Sequence, residues 1–62
     1  MCKVYVVLVL VRGPLTLHIK EPRDLSFPDY MNQASDMAKP YLPQGWHMQS
    51  AREECVCATK NQ

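Results

Sequence analysis

Glycine is scarce in this chain. Gly13 and Gly45 are the only two, so there is no glycine-rich loop to cradle a phosphate. Charge of one sign is missing as well: seven Lys and Arg stand against six Asp and Glu, a formal net charge of +1. The cations Lys3, Arg12, Lys20, Arg23, Lys39, Arg52 and Lys60 are scattered. No large field therefore draws the chain to nucleic acid or to an acidic membrane surface. The longest apolar run, Val4 to Val11, is eight residues, and Arg12, Gly13 and Pro14 end it. A helix crossing a bilayer takes about 20 apolar residues, so no membrane partner is expected. Lys3 before an apolar core has the outline of a signal peptide, but no small-x-small cleavage site follows, and removing the run would leave too little to fold. There is no internal repeat and no low-complexity tract.

Cysteine is present in an awkward number. Three residues, Cys2, Cys55 and Cys57, cannot all pair internally, and Cys55 and Cys57 are too close in an extended segment to bridge one another comfortably. The expectation is a reducing compartment and a soluble, cytoplasmic protein.

What is there points to one small domain, residues 1–62. A chain of this size buries only about 60% of the surface its unfolded form exposes, and scaffolds so small are helped by disulfides, a metal or oligomerisation. The run Val-Tyr-Val-Val-Leu-Val-Leu-Val is rich in β-branched residues and reads as a central strand from about Lys3 to Arg12. Alternation puts Val4, Val6, Leu8 and Leu10 on one face and Tyr5, Val7, Val9 and Val11 on the other. Both faces need cover. Gly13-Pro14 is a hairpin signal, with Gly supplying the positive φ of a type II′ turn. Leu15, Leu17 and Ile19 then alternate with Thr16, His18 and Lys20, a second strand with one buried face.

Ser26 and Asp29 stand three apart as in a capping box, Leu25 and Tyr30 occupy the places of a hydrophobic staple, and a helix is expected from Ser26. Its apolar stripe is Phe27, Tyr30, Met31, Ala34, Met37 and Ala38, with Asp29, Asn32, Gln33, Ser35, Asp36 and Lys39 on the solvated side. Pro40 closes it near Ala38. Residues 40–45 read as a loop from which Tyr41 and Leu42 fold back over the core. Trp46 to Thr59 is expected as one long strand bulged near Ser50 to Glu53. The competing reading is a helix capped by Ser50 and Glu53. The predicted architecture is α+β, in the order β-β-α-β, an antiparallel three-stranded sheet with one helix packed on one face.

Few residues carry candidate chemistry. Cys55-x-Cys57, with Cys2, His18 and His47, offers the right ligand types for zinc, but structural sites use two matched pairs and the second pair is missing. The cysteines read instead as compact core residues, so no metal and no cofactor is expected. His18 reads as a solvated residue of a strand face and His47 as a loop-edge residue, neither in a nucleophilic triad. Glu53 and Glu54 read as a solvated pair, and a catalytic pocket of several hundred Å³ is hard to build from so small a core. The chain is read as no enzyme. The apolar and aromatic surplus favours burial by association, since Trp, Tyr and Met are enriched at interfaces. The expected interface residues are Tyr5, Val7, Val9, Val11, Tyr41, Trp46 and Met48. The expected function is a non-enzymatic protein-binding module, a regulator or inhibitor that occupies a surface on another protein, and a homodimer through the uncovered sheet face or a strand edge. The alternative is a protein that binds single-stranded nucleic acid on the sheet face, with Thr16, His18 and Lys20 beside Tyr5 or Trp46. A short chain without a familiar motif also fits what compact mobile elements such as phages encode.

Overall fold

The computed structural model describes residues 2–57. Three antiparallel strands and one helix are arranged in the order β1 (Cys2–Arg12), β2 (Leu15–Pro22), α1 (Tyr30–Ala38), a short 3-10 turn (Leu42–Gln44) and β3 (His47–Cys57). The apolar run lies in β1, the central strand, with β2 on one side and β3 on the other. Val6 to Leu10 are buried without interruption. Among the described residues no helix is long and apolar enough to cross a membrane.

The hairpin forms where expected. Gly13 has φ 59°, a left-handed conformation that L side chains avoid, and Arg12 pairs with Leu15 across it. From there the register runs to Tyr5 opposite Pro22. Pro22 has no N–H to give, which suits the end of an edge strand. On one face Val6, Leu8 and Leu10 form a buried cluster with Ala34 and Ala38, and Leu17, Ile19, Tyr30, Met37, Met48 and Ala51 pack around it. Alanine on the helix removes bulk where α1 meets the sheet, so the two backbones approach closely.

The helix begins later than expected. Asp29, not Ser26, is the N-cap, and its carboxylate accepts from the Asn32 N–H at 2.8 Å. Pro28 supplies the reason, because the residue before a proline avoids the helical region and Phe27 therefore cannot open a helix. Ser26 is drawn instead into a turn, where its N–H and hydroxyl both donate to Asp24 Oδ1, at 2.9 and 2.7 Å. The staple does not form, since Leu25 is 86% exposed. Met31 is also exposed and Gln33 is buried, so the stripe is rotated from the apolar pattern.

The last third is a strand. Leu10 pairs with Met48 and Leu8 with Ala51, and the register shifts between Val9 and Leu10. Gln49 is the extra residue, not the Ser50 to Glu53 stretch. The shift matters because Met48 and Ala51 are three apart, and in an unbroken strand they would face opposite sides. The extra residue returns both to the core side. A helix here would have left the second edge of β1 without partners for its buried N–H and C=O groups. The end of the expected strand, Ala58 and Thr59, lies outside the described residues.

Two expectations about the cysteines are corrected. Cys2 and Cys57 face each other across β1 and β3 and are joined by a disulfide, while Cys55 is free. One cysteine is left over, as the odd count requires, but a reducing compartment no longer follows from that count once the other two pair. The cysteines are also not core residues, since all three are exposed. The bond closes a loop of sequence separation 55, which in the chain-entropy treatment contributes about 4 kcal/mol by restricting the unfolded chain.

Candidate interaction surfaces and the cysteine cluster

The seven residues expected to form one interface lie in two places. Tyr5, Val7, Val9 and Val11 occupy the sheet face away from the Val6 cluster. Tyr41, Trp46 and Met48 pack against that cluster on the other side. Trp46 is held there by Arg12, whose guanidinium carbon stands 5.0 Å from the ring centroid while its Nη1 donates to Gln44 O at 3.1 Å. Tyr41, Trp46 and Met48 are thus the rim of the core.

The outer face is less open than its run of valines implies. Val7 lies between Lys20 and Arg52, and Val9 between His18 and Ser50. Lys20 Nζ sits 4.9 Å from the Tyr5 ring centroid and 3.5 Å from Glu54 Oε1. Side chains of both edge strands flank the central valines, and the Lys20 ammonium is drawn across to Tyr5 and Glu54. In consequence Val7 and Val9 are only 6% and 8% exposed without any partner chain.

A different surface forms where β2 leaves the sheet. The Arg23 N–H donates to Val4 O at 2.8 Å, which carries the hairpin pairing one step further. Its side chain, 11% exposed, then ties three segments together, the 24–27 turn, α1 and β3. Nη1 donates to Asp24 O and, at 3.2 Å, to Gln33 Oε1; Nη2 donates to Phe27 O at 3.1 Å. Nε lies 3.5 Å from Glu53 Oε2 on β3. Gln33 completes the lock. Only 3% exposed, it accepts from the Asp24 N–H at 2.8 Å and donates from Nε2 to Pro22 O at 2.9 Å. The Ser26 side-chain hydroxyl first, then the Ser26 N–H, hold the Asp24 carboxyl below the ordinary carboxylate range.

The product is a rigid turn with Leu25 at its tip and an open groove of about 620 Å³ beside it, lined by Leu25, Phe27 and Met37 and by the carboxylates Glu21, Asp24 and Asp36. An exposed leucine on a turn fixed by this many hydrogen bonds presents apolar surface at small entropic cost. The composition leaves Arg23 and Leu25 looking like ordinary connection residues. The one signal for Gln33 is its spacing, three residues after Tyr30 and four before Met37, which puts it on the buried stripe despite its polarity.

Toward the same end of β1 as this turn, the Sγ atoms of Cys2, Cys55 and Cys57 lie within 4.8 Å of one another. His18 and His47 are not with them. Paired with Val9 and Val11, they stand seven and nine residues along β1 from Cys2, roughly 23 and 30 Å at the rise of a strand. The proposed five-residue ligand set is therefore split, and the thiols alone converge.

No protein-family model matches this chain, nor does any curated protein or solved structure.

Proposed function

We propose that this protein is a non-enzymatic binding module, a regulator or inhibitor that works by occupying a surface on another protein, with the Leu25 turn as its anchor. The observation that carries the reading is Leu25 itself, 86% exposed at the tip of a turn that Arg23 and Gln33 hold in one conformation. The groove beside it joins apolar Phe27 and Met37 to three carboxylates against one cation, Arg23, whose side chain is engaged within the turn, so the matching partner segment carries apolar side chains and Lys or Arg. Steering between such charges raises the association rate, and the apolar anchor holds the complex.

The same reading includes a homodimer. Val7 and Val9 are already covered, so the sheet face has little apolar area left to drive association. The outer edge of β3, eleven residues with one side of its backbone ladder unpaired, is the favoured route. The nucleic-acid alternative has less support, because Lys20 covers one face of Tyr5 and Arg12 one face of Trp46, leaving neither ring fully open for stacking.

The test compares the wild type with Leu25→Ala as baits in extracts of the native host, with sedimentation of each. A protein retained by the wild type, lost with Leu25→Ala and eluted by salt is the expected result, together with a dimer at micromolar concentration. Equal capture by both baits overturns the anchor, a concentration-independent monomer overturns the dimer, and a salt-dependent shift of mixed oligonucleotides favours the alternative.

A further inference from the structure

We propose that the reduced protein binds one monovalent copper ion through the thiolates of Cys2, Cys55 and Cys57, and that closing the Cys2–Cys57 disulfide expels it. A disulfide needs two cysteines and this end of the sheet has three. Cys55 is two residues from Cys57 on the same strand face, opposite Val4, and its sulfur lies within 4.8 Å of both others while remaining free and exposed. Neither core packing nor the disulfide accounts for it there.

The donor set selects the ion. Three thiolates are soft ligands, the kind that favour Cu(I) and Zn(II). Zinc in a structural site takes four protein donors in a tetrahedron, and among the described residues no fourth Cys or His stands at this end. Cu(I) is satisfied by three thiolates in a plane. With metal–sulfur bonds of about 2.3 Å, sulfurs around one ion stand roughly 4 Å apart. The three sulfurs already lie within 4.8 Å of one another, close to that spacing. The backbone pairing from Val4 with Cys55 to Val11 with His47 holds the two strands in register independently of the disulfide.

The redox step balances. Two small-molecule thiols transfer two electrons and two protons to the Cys2–Cys57 bond, leaving two cysteine thiols and one oxidised small-molecule disulfide. Copper then displaces three protons and forms three Cu–S bonds. A disulfide oxidant reverses this by taking two electrons from Cys2 and Cys57, which removes two of the three donors, and the ion leaves. All three sulfurs are exposed, so reductant and oxidant both have access.

The experiment uses the full chain, reduced with a water-soluble phosphine and desalted without oxygen. Cu(I) is then offered as its coloured bicinchoninate complex. One equivalent of copper withdrawn from the dye, with a rise in melting temperature over the reduced metal-free protein, is expected for the wild type. The oxidised wild type and reduced Cys55→Ser should withdraw none. Cys55→Ser keeps the disulfide partners, and a mass two hydrogens lower after oxidation shows that it still forms the bond. No uptake by the reduced wild type, equal uptake by Cys55→Ser or by the oxidised protein, uptake without a rise in melting temperature, or preference for zinc over copper in direct competition each overturns the proposal.

Discussion

Replacing Arg23 by alanine removes a side chain that touches β3, the 24–27 turn and α1 together, and the cost follows from what each contact leaves behind. The guanidinium bonds to Asp24 O, Phe27 O and Gln33 Oε1. Hydrogen bonds from a charged donor contribute about 1.5–3 kcal/mol each when buried, but the bonds to Gln33 and Phe27 are only part-buried and the one to Asp24 is exposed, so water repairs some of the loss and Gln33 Oε1 keeps the Asp24 N–H. The ion pair with Glu53 counts for less, because that carboxylate is half-exposed and exposed pairs are worth about 0–1 kcal/mol. The sum is about 2–3 kcal/mol with the buried methylenes included. A domain of 62 residues has a total stability of roughly 3–9 kcal/mol, so at least about a fifth of it is removed. Urea denaturation of the oxidised protein measures the change directly, and the melting temperature should fall by about 8–20 °C. Glu53→Gln is the control and should cost under about 1 kcal/mol. Arg23→Lys should resemble Arg23→Ala, since an ammonium cannot reach the three acceptors as a fork does. A loss below about 0.5 kcal/mol for Arg23→Ala, or a Glu53→Gln loss as large as that of Arg23→Ala, would refute the account.

Two further predictions concern the core and pH. Leu8→Ala, at a fully buried position in the central strand, should cost about 2–5 kcal/mol through lost burial and a residual cavity, measured by urea denaturation; a cost below about 1 kcal/mol means that the site collapses or is not core. The Asp24 carboxyl is held below its ordinary value of 3.8 in the folded protein, so its contribution is present above that unfolded value and is lost as the pH falls through the lower folded value. Wild type should therefore lose more stability than Asp24→Asn between neutral pH and the acid side of the carboxylate range, and parallel curves for the two would contradict this.

Much of the fold is legible in local pattern, and the reasons are local. An eight-residue apolar run ended by Gly-Pro and followed by strict alternation is satisfied by few structures other than a hairpin, because period and turn chemistry agree. Pro40 ends the helix near Ala38 by a steric rule that needs no tertiary context. The start of the helix is less legible. Ser26 and Asp29 both carry capping side chains, and the choice between them depends on Pro28 and on Asp24 competing for Ser26. Gln33 reads as a solvated residue from its polarity although its spacing fits the buried stripe, and no local pattern reveals the partners Arg23, Asp24 and Pro22 that let it be buried.

The sequence by itself determined the central strand, the hairpin and the end of the helix before Pro40, since these depend on neighbours within a few residues, whereas the last element became a strand because β1 needed a second edge partner. The tertiary structure alone decided which surfaces are open. It covered Val7 and Val9 with side chains from both edge strands, turned Tyr41, Trp46 and Met48 into the rim of the core, raised Leu25 on a braced turn, and brought Cys2 beside Cys55 and Cys57. Each is a matter of register between distant segments, and register is set only when a buried face and a bulge choose which residues meet.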